Sequence, residues 1–336
     1  MPDIYLIKKS AGMADKLDGI KGYLNDFAGK TVCIKLHMGE LGNKTYINPA
    51  IVKKVISVLK SMNAKPFLFD STTVYHGSRH TVKGYIDTAK QNGFTQDAIG
   101  CPVIVSDSFV VRKTDHLKAR LCKDIANAEC MIVLSHVKGH ECCGFGGAIK
   151  NLGMGAMTPA TKAAIHNGAQ PLLMKSKCIG CGICEKSCPN KCITMRKKHP
   201  SFKTKLLVRA GCTGCDICID SCKQGALKPR VLHFDALLAE AASAAIKGKP
   251  CYFVNVIENI TKHCDCYSNP GEIIAPDIGI VFGDDIVAVE KASVDLVNKA
   301  KKDAFLNANH KDPYGQINAA EKLGMGKQEY NLVEIK

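Results

Sequence analysis

Apolar and polar residues alternate in blocks along the first half of the chain. Short, mostly apolar runs predict strands at 4–7, 31–37, 65–70, 102–106 and 131–135. Amphipathic stretches between them predict helices at 13–27, 49–62 and 82–92. Strands that alternate with helices in this way are typical of a mostly parallel sheet with helices on both faces. The pattern therefore predicts an α/β fold.

The same alternation returns toward the C-terminus. Further runs predict helices at 234–246, 284–301 and 316–322, and strands at 252–257, 276–283 and 330–335. Between the two halves, residues 171–232 carry two cysteine-rich runs that interrupt the pattern.

This interrupting segment contains one cysteine pattern twice, the second copy 34 residues after the first. The first copy is Cys178, Cys181, Cys184 and Cys188, and the second is Cys212, Cys215, Cys218 and Cys222. In this spacing the first three thiolates bind one iron–sulfur cubane and the fourth binds the other. We therefore expect two [4Fe–4S] clusters, one on Cys178, Cys181, Cys184 and Cys222 and one on Cys212, Cys215, Cys218 and Cys188.

The segment resembles the bacterial two-cluster ferredoxins, which implies a small α+β domain that carries electrons. Two zinc sites are the alternative, because zinc also binds pairs of cysteines two residues apart. Zinc ribbons, however, use two pairs separated by a long loop, whereas each copy here packs four cysteines into eleven residues. Cys192 stands where the second copy has Ala226. We expect it to be a small buried hydrophobe rather than a ligand.

Charge suggests a partner for this segment. The chain has a formal net charge of +15, and residues 171–232 contain thirteen Lys and Arg against three acidic residues. A basic surface beside an electron entry point would attract an acidic redox protein, such as a ferredoxin or flavodoxin. Nucleic acid is the rival partner, but no basic stripe interleaved with aromatic residues is present, and the chain has no Trp.

Hydropathy and cysteine usage indicate a compartment. No signal-peptide-like run begins the chain, and no window is apolar enough to span a membrane. We expect a cytoplasmic protein without a membrane partner. Ten of the 18 cysteines lie outside the two copies, which favours the reducing interior of an anaerobe.

The densest group of reactive residues follows the strand predicted at 131–135. His136, Lys138 and His140 are spaced by two, so an extended backbone directs them to one side. Cys142 and Cys143, whose roles the sequence leaves open, precede a glycine-rich turn that leads into a helix. Such a turn offers free backbone N–H groups to a phosphate or carboxylate. It matches neither the dinucleotide nor the Walker pattern, and surface histidines beside a structural turn are the alternative.

A second group lies near the C-terminal half of the chain. His263, Cys264 and Cys266 follow the strand predicted at 252–257. This spacing suits an additional metal site or a redox-active thiol pair, and inert packing is the third interpretation.

Two motifs carry a resemblance to a known family. Residues 131–140 with 146–153, and residues 275–279 with 284–290, resemble the hallmarks of the DUF362 family of domains of unknown function. The resemblance implies one discontinuous α/β domain, formed by residues 1–170 and 233–336, with the two-cluster domain inserted at 171–232. It also implies redox chemistry in anaerobes. Members share Lys138, His140, Lys150, Asn151 and Asp277, but usually have Asp where this chain has Glu290.

Together these observations predict an iron–sulfur oxidoreductase or electron-transfer protein. Electrons from an acidic ferredoxin-type donor would pass through the two clusters to a site at the strand ends. There, His136, Lys138, His140 and Lys150 would bind a small anionic substrate or supply protons. Gly146, Gly147, Asn151 and Asp277 would hold a cofactor. A flavin or a further metal would couple one-electron to two-electron chemistry, and the sequence does not decide whether either is bound.

Two other functions remain open at this point. A ferredoxin-like carrier subunit would transfer electrons without catalysis of its own. A metal or cluster assembly protein would use Cys142, Cys143, Cys264 and Cys266 as transfer ligands.

Overall fold

The fold is built around one eight-stranded sheet. A computed structural model describes residues 1–205 and 211–335. Arg209, one of the basic residues counted above, lies outside the described residues. The strands are β1 (Asp3–Lys8), β2 (Thr31–Lys35), β3 (Lys65–Asp70), β4 (Val103–Val105), β5 (Phe109–Lys113), β6 (Lys118–Cys122), β7 (Cys130–His136), β8 (Lys138–His140), β9 (Gly144–Gly146), β10 (Pro171–Leu173), β11 (Ile193–Arg196), β12 (His199–Phe202), β13 (Leu227–Pro229), β14 (Cys251–Ile257), β15 (Gly279–Gly283) and β16 (Asn331–Glu334).

Helices connect and cover these strands. The α-helices are α1 (Pro49–Ser61), α2 (Val82–Gln91), α3 (Gln96–Ile99), α4 (Lys123–Asn127), α5 (Ala148–Gly155), α6 (Pro159–Gly168), α7 (Ile183–Ser187), α8 (Ile217–Asp220), α9 (Phe234–Ile246), α10 (Ile286–Ala300), α11 (Ala304–Asn309) and α12 (Gly315–Lys322). Short 3-10 helices occur at Asp15–Tyr23, Asn25–Phe27 and Lys175–Lys177. Within the described ranges, no helix has the length and apolarity needed to cross a membrane.

The main sheet has the order β16-β1-β15-β14-β7-β2-β3-β4. Every neighbouring pair in it is parallel except the two pairs that include β15. The prediction of a mostly parallel sheet is confirmed. The inner strands are buried on both sides, which explains why they are almost continuously apolar rather than alternating.

Helices pack on both faces of the sheet, as predicted. Successive residues of a strand point to opposite faces. In β7, Met131 and Val133 therefore join the hydrophobic core under α5, α9 and α10, whereas Ile132 and Leu134 join the core under α1 and α2.

The predicted helix at 13–27 is wrong. This segment forms two 3-10 helices instead. Gly19 and Gly22 lie within it, and no side chain caps its first turn at Ala14. Glycine weakens an α-helix, and an uncapped start leaves its first N–H groups unpaired, so a regular helix is disfavoured here. The antiparallel hairpin of β5 and β6 was not predicted at all.

The cysteine-rich segment forms two small antiparallel strand pairs, β10 with β13 and β11 with β12, and the short helices α7 and α8. The two copies fold alike around their glycines. Gly180 and Gly214 have φ of 74° and 71°, in the region that favours glycine. At Gly214 a Cβ would also lie 2.5 Å from the carbonyl oxygen of His166, in α6. This turn is therefore closely fitted to the α/β domain.

Candidate functional site

A large cavity opens at the carboxyl ends of β2, β3 and β7. Its volume is about 810 Å³, within the range of small-molecule binding pockets. The loop that follows β14 closes one side and contributes Cys264, Asp265 and Cys266. Ligands of open α/β sheets bind at these strand ends, so the cavity is the candidate site.

The wall of the cavity is built from buried ion pairs. Lys35 Nζ lies 3.0 Å from Asp70 Oδ1, and Arg79 Nε lies 3.0 Å from Glu40 Oε2. Burial by itself would raise the pKa of Asp70, but Lys35, other basic neighbours and a hydrogen bond from Tyr85 together outweigh it and hold that pKa below its usual value. Buried charges are stable only when they are paired in this way.

Asp265 is the centre of the third such group. Its carboxylate accepts hydrogen bonds from Lys138 Nζ and, at 3.0 Å, from His136 Nδ1. His136 Nε2 also faces an oxygen, the Glu258 carbonyl at 2.5 Å, so both ring nitrogens are engaged with the protein. Burial would raise the pKa of Asp265, but His136 and Lys138 hold it well below its usual value. His136 and Lys138 line the cavity as expected, yet their polar atoms are engaged with the protein. This favours a positioning role over direct participation in chemistry.

His140 is arranged differently. Its Nδ1 accepts from the backbone N–H of Cys142 at 3.2 Å and lies 3.2 Å from Cys143 Sγ, so the ring proton of the neutral form is on Nε2. Burial and the charge of Lys150 hold the pKa of His140 well below its usual value. The ring is therefore a neutral hydrogen-bond donor at the cavity wall.

Lys150 projects from α5 toward the two thiols of the β14 loop. Among the described residues it has no carboxylate within ion-pair distance, whereas Lys35, Lys138 and Arg79 each have one. Burial alone would lower the pKa of Lys150, but the nearby Cys264 and Cys266 sulfurs raise it above its usual value. Its ammonium is therefore a positive charge inside the cavity that is balanced by sulfur rather than by a carboxylate.

The prediction that the glycine-rich turn offers free backbone N–H groups to an anion is wrong. Gly146 and Gly147 line the cavity, but the first amides of α5 are already paired: Ala148 N and Ile149 N donate to the Glu290 carboxylate at 2.6 and 3.4 Å. A Cβ on Gly147 would lie 2.1 Å from Glu290, so only glycine fits there. Burial raises the pKa of Glu290 to about 7. The role of Glu290 is thus to cap this helix.

Asn151 and Asp277 also have structural contacts. Asn151 Nδ2 donates to the carbonyl oxygens of Lys35 and Leu134, at 3.2 and 3.0 Å, which ties β2 to β7 below the cavity. Asp277 is not part of the cavity wall. It accepts from the N–H of Asn259 at 2.7 Å and lies 3.6 Å from Lys9.

The additional metal site considered for His263, Cys264 and Cys266 does not form. Both cysteines line the cavity, but His263 does not, and its ring packs on Tyr267 with centroids 5.2 Å apart. In residues 1–205 and 211–335, no three His, Cys, Asp or Glu side chains converge to hold a metal ion.

Two small cavities in the cysteine-rich segment bring the two copies together. One is lined by Cys178, Cys181, Cys184 and Cys222, and the other by Cys212, Cys215, Cys218 and Cys188. In a cubane each thiolate binds a different iron, so its four ligands surround a volume and need not converge on one ion. The two sets of four are the interleaved sets that the sequence predicts, one for each cubane. Cys192 lies beside the second cavity, with its sulfur 3.4 Å from Cys188 Sγ.

Thr213 separates this second cysteine cavity from the large one and lines both. Its carbonyl oxygen lies 2.7 Å from Nδ1 of His166, which also lines the large cavity. Burial lowers the pKa of His166, so its neutral ring donates to Thr213. The cysteine site and the strand-end cavity thus share a wall one residue thick.

Two residues of the site, Asp265 and Arg79, were not singled out from the sequence. Asp265 lies between two cysteines, and its partners Lys138 and His136 are 127 and 129 positions away in the chain. Arg79 had no signal, since its partner Glu40 is 39 positions away in the chain.

The chain is only weakly similar to solved structures. A crystal structure of a Thermotoga maritima protein from a structural genomics consortium has 7% sequence identity and a TM-score of 0.43, with 92% of this chain and 59% of that chain covered. The lactate racemase apoprotein of Thermoanaerobacterium thermosaccharolyticum has 11% identity and a TM-score of 0.37, with 77% and 51% covered. The chain therefore spans little more than half the length of either protein.

No curated protein matches the chain. Residues 32–295, by contrast, match the family described as "Domain of unknown function (DUF362)". The match includes the cavity, the cysteine-rich segment and every strand of the main sheet except β1 and β16, and the chain belongs to the DUF362 family.

Proposed function

We propose that this chain is a cytoplasmic iron–sulfur redox protein that transfers electrons to a small anionic substrate in the strand-end cavity. One observation carries the proposal. The two cysteine cavities have interleaved ligand sets, three residues from one copy and the fourth from the other, and one of them shares the Thr213 wall with the large cavity.

The chain's own residues prepare each cysteine cavity for its group. When bound, two [4Fe–4S] clusters would supply one-electron transfer at low potential. Backbone amides reach the fourth cysteine of each copy: Cys192 N donates to Cys188 Sγ at 3.4 Å, and Ala226 N donates to Cys222 Sγ at 3.3 Å. Such hydrogen bonds stabilise a thiolate ligand.

The first cysteine cavity lies at the protein surface. Cys181 is exposed, and Ile179 beside it is 67% exposed. Exposed lysines surround this edge: Lys175, Lys177, Lys186, Lys197 and Lys198. An apolar contact ringed by positive charge suits an acidic one-electron donor, which the field would attract over a distance.

The large cavity supplies the means to bind and protonate. Lys150 provides positive charge for an anionic group, and His140 Nε2–H provides a donor. The buried pairs of Lys35 with Asp70 and Lys138 with Asp265 hold the wall in place. The cavity volume of about 810 Å³ also accommodates a flavin beside a small substrate, although no residue pattern selects a flavin.

Anaerobic purification followed by iron, sulfide, zinc and flavin analysis tests the proposal. We expect about eight iron and eight sulfide per chain, with interacting cubane signals in the electron paramagnetic resonance spectrum after dithionite reduction. Zinc in place of iron, or no metal in protein purified without oxygen, would overturn it.

A carrier without catalysis is the remaining candidate, because an exposed and an inner cluster site also suit electron relay. Lys150→Gln and His140→Gln distinguish the two. Both leave the eight cysteines intact, so iron content and the rate at which the donor reduces the protein in a single turnover without acceptor should stay unchanged in either case. If the cavity is a reaction site, turnover of an added acceptor falls by at least about tenfold, which corresponds to one lost charge-assisted hydrogen bond. A carrier shows no change.

A further inference from the structure

Cys264 and Cys266 are held rigidly at the cavity wall. Asp265 between them is fixed by its side chain, which Lys138 and His136 bind, and by its carbonyl oxygen, which accepts from Glu40 N at 3.0 Å. Both thiols line the cavity, and a single residue separates them in the chain. Two thiols this close on an anchored loop can approach each other as a disulfide requires.

The surroundings shift the pKa values of the two thiols in opposite directions. The neighbouring Cys264 thiol and the positive charge of Lys150 hold the pKa of Cys266 well below its usual value despite burial. The neighbouring Cys266 and burial raise the pKa of Cys264. Cys266 is therefore the thiolate and Cys264 the thiol.

Groups from several elements face Cys266. His37 Nε2, in the loop after β2, lies 3.6 Å from its sulfur and 2.8 Å from Arg79 Nη1. The Tyr75 hydroxyl accepts from Arg79 at 2.6 Å. Lys150 approaches from α5 and adds its positive charge. These contacts are the electropositive, hydrogen-bonded surroundings in which reactive thiolates occur.

We infer that Cys264 and Cys266 form a redox-active dithiol, which closes to a disulfide within the cavity and reopens when it takes up two electrons. On closing, the S–S bond forms, two electrons leave, and the proton of Cys264 is released. On opening, the S–S bond breaks, Cys264 takes up one proton and Cys266 stays a thiolate. The two electrons would come from the two one-electron sites beyond Thr213, and this part of the inference rests on the proposed function. The dithiol itself does not depend on it.

This pair would provide, from the chain's own residues, the coupling of one-electron to two-electron chemistry that otherwise needs a flavin or a further metal.

Cys142 and Cys143 make a natural comparison. They are adjacent and line or lie beside the same cavity, but burial raises the pKa of both thiols well above the usual value. They should remain reduced.

The test is a redox titration of the intact, anaerobically purified protein. It is equilibrated in dithiothreitol buffers of stepped potential, quenched with iodoacetamide and digested with trypsin. Cleavage after Lys262 and Lys291 releases residues 263–291, whose only cysteines are Cys264 and Cys266. Cleavage after Lys138 and Lys150 releases residues 139–150, with Cys142 and Cys143 as the control.

We expect peptide 263–291 to change from doubly alkylated to disulfide in one two-electron transition, while peptide 139–150 stays doubly alkylated throughout. A peptide 263–291 that is doubly alkylated at every potential overturns the inference. Iron and sulfide are measured on the same sample. Clusters without the transition therefore reject the dithiol alone, and the transition without clusters rejects the proposed electron source alone.

Alkylation kinetics give a second readout. The pH of half-maximal alkylation of Cys266 should rise by about 1 unit in Lys150→Gln, because an adjacent positive charge is lost. Lys150→Arg should restore it. An unchanged pH profile in Lys150→Gln would contradict the assigned thiolate.

Discussion

Asp265→Asn is the sharpest perturbation of the site that leaves its cysteines untouched. The change removes the negative charge from a buried group and keeps the size of the side chain. Lys138, whose side chain is 1% exposed, then has no negative charge beside it and keeps the Thr45 hydroxyl at 2.8 Å as a neutral partner. The single amide oxygen of Asn can accept from Lys138 or from His136, but not from both.

The magnitude follows from the burial of the partners. Removing one member of a buried ion pair costs about 3–5 kcal/mol, because the other charge stays buried without compensation. Since about 1.4 kcal/mol is a factor of ten, local opening should become about 150- to 4,000-fold more frequent. The amides of Gly139, which donates to Thr261 O at 2.9 Å, and of Glu40, which donates to Asp265 O at 3.0 Å, report this opening.

Native-state hydrogen exchange measures it without requiring reversible unfolding of the whole protein. Asp277→Asn is the matched control, since Asp277 is one-third exposed and lies 3.6 Å from a half-exposed Lys9. A pair of that kind contributes less than about 1 kcal/mol, so exchange should change by less than about fivefold. If Asp265→Asn also stayed within fivefold of the natural protein, the assigned role of Asp265 as the anchor of the loop would be refuted.

Three further predictions concern pH and charge. The folded state holds the pKa of Asp265 below the unfolded value of about 3.9. The stability that Asp265 contributes is therefore fully present above about pH 3.9 and is lost as the pH falls below that value. In Asp265→Asn, the denaturant midpoint of unfolding should depend less on pH in this acid range. Burial raises the pKa of Glu290 to about 7. The natural protein should therefore lose stability as the pH rises from about 4.3 to 7. The denaturant midpoints of unfolding at pH 5 and pH 8 should differ less in Glu290→Gln than in the natural protein. Replacing Lys177 and Lys198 with Glu should slow reduction of the protein by an acidic ferredoxin about tenfold at low salt and little at high salt. Lys299→Glu on α10 is the control and should have no effect. If stopped-flow measurements gave equal rates for both variants, the proposed donor surface would be wrong.

The fold class could be predicted because it depends on local patterns. An apolar run such as β7 signals a strand buried on both faces, and its alternation with amphipathic helices signals parallel pairing. Strand order could not be predicted in this way. The placement of β15 antiparallel between β14 and β1 depends on contacts between distant parts of the chain.

The site shows the same division between local and distant information. The residues at strand ends, such as His140 and Lys150, could be assigned to one cavity from their positions alone. The anion-binding role of the glycine-rich turn failed because Glu290, 142 positions from Ala148, occupies its amides. The catalytic role suggested for Lys138 was weakened in the same way by Asp265, 127 positions away. A spacing rule identifies residues that could act, and partners distant in sequence decide whether they are free to do so.

The interleaved cysteine ligands are tested most directly by anomalous diffraction at the iron absorption edge, from crystals of protein purified without oxygen. We expect two iron peaks, each the size of a cubane. One should lie among Cys178, Cys181, Cys184 and Cys222, and the other among Cys212, Cys215, Cys218 and Cys188. A signal at the zinc edge instead, or iron held by the four cysteines of a single copy, would contradict it.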